Sequence, residues 1–186
     1  PAGWLEDVVL AYRSVAVFFT RDVLRCWSEI VGQLESIEAD LSEQPPGRCI
    51  EIPVLYNGED LGTAAEELGL ETAALIQHHS GTVYDVFAIG FQPGFPYAGY
   101  LPEPIQGLAR KTTPRSRVPA GSVAIAGSQT GIYPKASPGG WWLLGMTPLV
   151  IADLERGLFP VQPGDRLRFR AIDESEFKAL EGLDLT

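Results

Sequence analysis

Sulfur and imidazole are scarce in this 186-residue chain, which has two Cys, one Met and two His. Cys26 and Cys49 form no CxxC pair, and the adjacent His78 and His79 give no zinc-ligand spacing. A disulfide scaffold is not indicated, and a reducing compartment is the simpler reading. Positive charge is scarce too: 14 Lys and Arg stand against 24 Asp and Glu, a formal net charge of -10, with no basic run. Such a surface repels phosphate backbones, so nucleic acid is not an expected partner. No apolar run reaches the roughly 18 residues of a membrane span. The start, Pro-Ala-Gly-Trp-Leu-Glu-Asp, has no basic segment ahead of an apolar one and does not read as a signal peptide. A soluble cytoplasmic protein is the expectation. GxxxxGK(S/T), GxGxxG and GxSxG are all absent, so neither a self-contained nucleotide loop nor a serine elbow is visible. Nothing in the sequence brings Cys49 and His79 together as a nucleophilic pair.

What is present is a packable composition, 45% hydrophobic, with 20 Gly and 15 Pro. Residues 8–19 are β-branched and aromatic and read as one or two strands. Residues 22–41 read as a helix that Asp22 can cap, with Val23, Trp27, Ile30, Val31, Leu34 and Ile37 on one stripe. Residues 42–48, holding Pro45, Pro46 and Gly47, read as a linker. Residues 49–56 read as a strand, with Pro53 near an edge. Two short helices follow over 61–69 and 71–79. Beyond Thr82 come a strand over 83–91 and then short apolar runs (123–126, 141–144, 149–151, 167–169) between Gly- and Pro-rich turns. That is the pattern of a small barrel or sandwich. A terminal helix is expected over 173–182. The resulting class is α+β, with an α/β part over 1–80 and a β-barrel part over 81–186.

Three segments carry unusual chemistry. Gly90-Phe91-Gln92-Pro93-Gly94-Phe95-Pro96-Tyr97 is a stiff aromatic loop, either a binding surface or a core plug. In the segment from Pro114, Arg115 and Arg117 can grip a carboxylate or phosphate by two points, or simply bridge surface acids. From Gly127, the residues Gln129, Thr130, Tyr133 and Ser137 supply neutral hydrogen-bonding groups. Gly131, Gly139 and Gly140 let a ligand approach the backbone, or else mark a barrel corner. His79 ends a helix, where a dipole can hold an imidazolium or a plain cap can sit. Phe95, Pro96, Tyr97, Tyr133 and Trp141 are expected around one face of the barrel near Arg115, with at least two of them exposed. Arg115, in a Pro-rich loop, is expected to matter for activity and hardly for stability.

The strings GFQPGFPYAGYLP, PRSRVPAGSVAIAGSQTGIYP and SPGGWWLLGMTPL closely resemble the family of allophanate hydrolase subunit 1 and the B component of 5-oxoprolinase. The match runs on through Pro163–Arg170, and Glu6–Val9, Ala11–Ser14 and His79-Ser80 also fit. The resemblance implies an N-terminal α/β domain followed by a cyclophilin-like β-barrel. It implies a partner, a second cyclophilin-like subunit of the type of allophanate hydrolase subunit 2 or the C component of 5-oxoprolinase. It also implies an active site shared between the two, with ATP bound in the assembled enzyme. Family members usually begin with a further strand, carrying a Gly-Asp pair, and a helix, so the N-terminal domain here is expected to lack its start or the chain to be divergent. They commonly have Arg where this chain has Met146.

Two functions follow. In the first, the chain is the small subunit of an ATP-dependent amide hydrolase acting on 5-oxoproline, allophanate or a similar small amide. There His79 would transfer or orient a proton, and Arg115 and Gln129 would join it in catalysis. Phe95, Pro96, Tyr97, Arg117, Thr130, Tyr133, Ser137 and Trp141 would bind substrate. In the second, the chain is a protein inhibitor that docks on a sporulation-type histidine kinase through Phe95-Pro96-Tyr97.

Overall fold

The computed structural model describes residues 4–12, 14–20, 25, 27–37 and 47–186. The chain separates into two compact units, Pro1–Pro46 and Gly47–Thr186.

In the first unit, β1 (Leu5–Ala11) and β2 (Ser14–Phe19) form an antiparallel hairpin, as their valine-rich sequences favour. One helix, α1, covers Trp27–Glu35 and buries Ile30. The Phe19 ring lies 5.6 Å from Trp4 and 5.8 Å from Trp27. The expected helix over 22–41 is thus observed over 27–35, while Asp22, Val23, Cys26, residues 38–41 and linker residues 42–46 lie outside the described residues.

The second unit is a seven-stranded sheet with two helices packed into it. Its strands are β3 (Cys49–Val54), β4 (Val83–Ile89), β5 (Pro96–Gly99), β7 (Ser122–Ala126), β8 (Gln129–Ile132), β10 (Trp142–Met146) and β11 (Arg166–Ala171). Their order is β10-β7-β8-β5-β4-β11-β3, parallel only between β11 and β3. A separate ribbon pairs β6 (Arg115–Val118) with β9 (Ser137–Gly139). The two ends of the large sheet meet where Leu55 and Met146 exchange two backbone hydrogen bonds of 2.9 Å. Gly58 and Asp60 then donate to Leu144 and Leu143 at 3.0 and 3.2 Å, so the sheet nearly closes into a barrel. Closure demands glycine: a Cβ on Gly145 would stand 2.4 Å from the Leu55 oxygen, and one on Gly58 2.2 Å from the Leu143 oxygen.

Alternation along the strands creates two apolar clusters. Val123 and Ile125 of β7 point into the main core with Ile52, Val54, Tyr84, Leu144 and Phe169. The helices α2 (Leu61–Glu67) and α3 (Thr72–Ser80) add Leu61, Ala64 and Leu75 to that core. Ala124 and Ala126 face the other way, into a smaller cluster built on Phe95, Tyr133 and Trp141.

The α+β class expected from sequence is the one observed. The division falls earlier than residue 80, because β3 pairs along its length with β11 and both helices share the barrel's core. Leu149–Ile151 forms no strand, and Val150 makes a single bridge to Asp184. The terminal helix α4 covers Glu174–Leu180.

Gly145→Ala should lower unfolding free energy by roughly 2–4 kcal/mol, since backbone must move to admit the methyl group. Gly62→Ala, with nothing within 4 Å, should be neutral or stabilising. Urea midpoints at constant m-value distinguish the two, and equal midpoints would mean that closure tolerates a side chain at Gly145.

Candidate functional site

A cavity of about 300 Å³ opens on the outer side of the barrel, walled by the rings of Phe91, Phe95, Tyr97, Tyr133 and Trp141. Phe95 is its hub, with centroids 4.9 Å from Tyr97, 5.2 Å from Tyr133 and 5.5 Å from both Trp141 and Phe91. Two glycines make room for this packing. A Cβ on Gly131 would lie 2.7 Å from the Phe95 ring, and one on Gly139 2.4 Å from the Tyr133 hydroxyl. These glycines make room for the rings. Arg110, Lys111, Pro114 and residues 138–140 complete the rim.

Beside the cavity sits a buried carboxylate. Asp60 precedes α2 but makes no capping bond. Its Oδ2 accepts from the Leu143 amide at 2.8 Å, and its Oδ1 accepts from Lys111 Nζ at 2.7 Å and from Arg115 at 2.6 Å. Burial alone would raise this carboxyl; the hydrogen bonds from Lys111, Leu143 and Arg115 outweigh it and hold the group below the usual carboxylate range. Arg115 also pairs with Glu59 through its Nε. Lys111 lies 4.1 Å over the Trp142 ring. Two acids and two bases thus neutralise one another. Arg110, next along the chain, is exposed and makes no ion pair among the described residues. Its guanidinium stands 5.9 Å from the Trp141 centroid. Burial raises the Tyr133 phenol, offset in part by a hydrogen bond from the Trp141 amide and by the charges of Arg110 and Arg115.

The structure brings Phe95, Pro96, Tyr97, Tyr133 and Trp141 to one place, and buries four of them, with Tyr97 half-buried. The expectation that two would be exposed fails, because the rings fill space against Gly131 and Gly139 and against one another. With Phe95 and Pro96 inside, the loop offers no exposed anchor at those positions for a docking partner; the exposed ring is Phe91. Arg115 pairs with Glu59 and Asp60, while its Nη1 is buried without a hydrogen-bond partner. Arg117 lines a different cavity, of about 370 Å³, beside Met146. Ser137 lies on the β6–β9 ribbon, and Gln129 at the far end of β8 from Tyr133.

Thr130 and His79 face inward. The Thr130 hydroxyl donates to the Ala124 oxygen at 3.2 Å, so it accepts from His79 Nε2 at 2.9 Å. His79 Nδ1 then accepts from the Tyr56 hydroxyl at 2.7 Å. The imidazole stacks 4.4 Å from Phe169 and is fully buried, which pushes its pKa down to about 3. A neutral, fully partnered ring inside the barrel pins α3 to β8; it is not poised beside the aromatic cavity. Sequence reasoning missed Asp60, Arg110 and Lys111, and placed Phe91 in the aromatic loop without choosing it as a site residue. The one available signal was the Arg110-Lys111 pair, itself unusual in so acidic a chain. Among the described residues no group of three or more His, Cys, Asp or Glu could hold a metal ion, and no helix is long and apolar enough to cross a membrane.

Residues 3–158 match the family described as carboxyltransferase domain, subdomain C and D. The chain belongs to this family. It is 44% identical over 170 residues to a Haemophilus influenzae protein named as the B component of 5-oxoprolinase, covering 89% of this chain and 78% of that one. A protein of the same name from Escherichia coli O157:H7 is 48% identical over 130 residues, 68% of this chain and 59% of that one. The resemblance read from the motif strings is thereby borne out. The crystal structure of TTHA0988 superposes with a TM-score of 0.82 at 41% identity over 93% of this chain, which spans 34% of that longer protein. Kluyveromyces lactis urea carboxylase, 16% identical with a TM-score of 0.72, shares the fold over 95% of this chain and 19% of its own. Within the family's shared region lie the aromatic cavity, Asp60 and His79.

Two outcomes follow from this geometry. The unfolded chain protonates His79 below about pH 6.5, while the folded chain does so only near 3, so stability falls as pH drops through that window. Urea unfolding should show about 2 kcal/mol lost between pH 6.5 and 5 on this account. His79→Asn should flatten that slope; an unchanged slope would place its origin elsewhere. Arg115→Ala should cost about 1–3 kcal/mol, because Asp60 loses a partner it needs while buried. The exposed Arg117→Ala should stay within about 0.5 kcal/mol of wild type. Equal melting temperatures for Arg115→Ala and wild type would mean that Lys111 and Leu143 satisfy Asp60 alone.

Proposed function

We propose that this chain is one subunit of a 5-oxoprolinase-type hydrolase and supplies part of a substrate site that a partner protein completes. The observation that carries this reading is the aromatic cavity with a cation at its rim, Arg110, that makes no ion pair among the described residues, in a chain 44% identical to a protein named as the B component of 5-oxoprolinase. A small amide with an anionic group suits such a site: apolar walls take the body, and a few polar groups fix its orientation. The residues at the cavity bind rather than react. A guanidinium stays protonated, and Tyr133 holds its proton more tightly than a free phenol. These properties support a site whose reactive groups come from a second, cyclophilin-like subunit.

ATP is assigned to the assembled enzyme. A triphosphate needs several free cations or amide donors in one cradle, and here Lys111 and Arg115 are committed to Asp60. With those two cations engaged, the described residues around the cavity do not form such a cradle by themselves. Amide hydrolysis by the assembled enzyme then rests on positioning, which this chain provides by holding the substrate in a shaped aromatic pocket.

Co-expression with candidate partner subunits from the same genome, followed by an ATP-dependent assay on 5-oxoproline, allophanate and urea, tests the proposal. Turnover of 5-oxoproline by the assembled enzyme and none by the lone chain is expected. Turnover by the purified single chain would refute the shared site, and turnover of allophanate or urea alone would reassign the substrate.

A further inference from the structure

We propose that the cavity recognises its ligand by a carboxylate, held by Arg110, and that Phe91 is the residue that selects for a small ring; this deepens the 5-oxoprolinase reading and rests on it. Three observations combine. The first is charge. Glu59, Asp60, Lys111 and Arg115 balance to zero in direct contact. Arg110 therefore carries the uncompensated charge at the rim, in a chain whose net charge is -10. An anion entering the cavity meets that guanidinium with no competing carboxylate paired to it, and a planar fork matches a carboxylate by two points.

The second observation is the backbone at Phe91. Its φ is 65°, the left-handed region, which is costly for a side chain of this bulk. The turn around it is tightly tied. The Gly90 amide donates to the Phe95 oxygen at 3.1 Å, the Gln92 amide to the Gly90 oxygen at 2.7 Å, and the Phe95 amide to the Gln92 oxygen at 3.1 Å. The Gln92 side chain reaches the Lys135 oxygen at 3.3 Å. Gly94 has a φ of 82°, and a Cβ there would lie 2.2 Å from Ala152 Cβ. Glycine at 91 would relieve the strain, yet Phe is present. Strain of this kind persists where a side chain's position is needed.

The third observation is where the ring stands. Phe91 is 61% exposed, the large aromatic at the cavity's outer edge, while Phe95, Tyr133 and Trp141 are each at most 5% exposed. It is nearly perpendicular to Phe95 and Tyr133, at 80° and 88°. Burying so exposed a ring against a ligand recovers apolar area that the empty cavity leaves in water. A volume of about 300 Å³ lies at the small end of ligand sites and suits a single small ring. Ring and carboxylate together describe a cyclic amide acid better than an open-chain amide without an anionic group.

The test uses the assembled enzyme with Arg110→Ala, Arg110→Lys, Phe91→Gly and Phe91→Tyr. Cyclopentanecarboxylate, which has ring and anion but no amide, and 2-pyrrolidone, which has the lactam but no anion, serve as competitors. Arg110→Ala should raise KM for 5-oxoproline about 10–100-fold with a smaller change in kcat, as losing a charge-assisted bond predicts. It should abolish inhibition by cyclopentanecarboxylate and leave that by 2-pyrrolidone unchanged, with partial rescue by Arg110→Lys. Phe91→Gly should raise KM about 3–10-fold while the melting temperature holds or rises, and Phe91→Tyr should keep KM near wild type. A structural Phe91 would instead give a lower melting temperature with unchanged KM, and that result overturns its assignment. An active enzyme whose KM is unmoved by both Arg110→Ala and Phe91→Gly overturns the cavity assignment and leaves the 5-oxoprolinase reading intact. Where the assembled wild type fails to turn over 5-oxoproline, that reading falls. The cavity is then judged by calorimetric binding of cyclopentanecarboxylate to the chain: binding lost in Arg110→Ala supports it, and no binding to wild type overturns it.

Discussion

The Asp60 carboxylate is the tie on which the second unit's arrangement depends. It is nearly fully buried, and one side chain reaches three separate pieces of chain: the Leu143 amide on β10, Lys111 in the loop before β6, and Arg115 at the start of β6. A carboxylate taken out of water loses several kcal/mol of hydration unless such partners replace it. The partners are therefore held as firmly as the acid. The segment carrying Asp60 also runs beside β10, where Gly58 and Asp60 extend the closure begun by Leu55 and Met146. Barrel closure and the placement of the loop that carries Arg110 are thus set by one side chain and its neighbours.

Alternation on β8 then decides what each residue can do. Thr130 and Ile132 point inward, where Thr130 meets His79; Gly131, and Tyr133 just beyond the strand, belong to the outer side with Phe95. Residues adjacent in sequence consequently serve different ends. One side of the strand fastens a helix through a neutral imidazole, and the other builds an aromatic wall. The buried His79 shows why a polar residue in a motif is not automatically chemistry. Its two ring nitrogens are already satisfied, so it has no vacancy for a substrate.

Much of the fold was legible from periodicity and punctuation. The strand starting at Cys49, the two short helices, the strand starting at Val83 and the short apolar runs at 123–126, 141–144 and 167–169 all appear close to where their patterns place them. The division expected near residue 80 follows a shift in composition, which marks where helices give way to turns, whereas the contacts thin out at Pro46–Gly47. β3 finds its partner in β11, more than a hundred residues later, and no local pattern announces a parallel pairing at that separation. At the site, the aromatic loop was found because Gly and Pro around rings are conspicuous. Its depth was not, since whether Phe95 is a wall or a surface depends on Gly131 and Gly139 across the sheet. Arg115 drew notice for its charge, but charge alone cannot reveal that Asp60 lies within 2.6 Å.

A final step concerns why the exposed cation and the strained ring lie together. Arg115 and Lys111 are worth more to the fold than to a ligand, because freeing either would strand Asp60 in the interior. Arg110 is under no such obligation, so its charge is open to an incoming anion. The same division holds among the rings. Phe95, Tyr133 and Trp141 are nearly buried and pack against one another, so they cannot shift for a ligand without loosening the cluster. Phe91 touches that cluster only at its edge and is mostly exposed, and its backbone is held in a conformation it would not choose. Removing it therefore relieves the fold, whereas removing Phe95 would leave a cavity behind. A residue whose presence burdens the native state and whose ring faces a pocket is better explained by what enters the pocket than by what surrounds it.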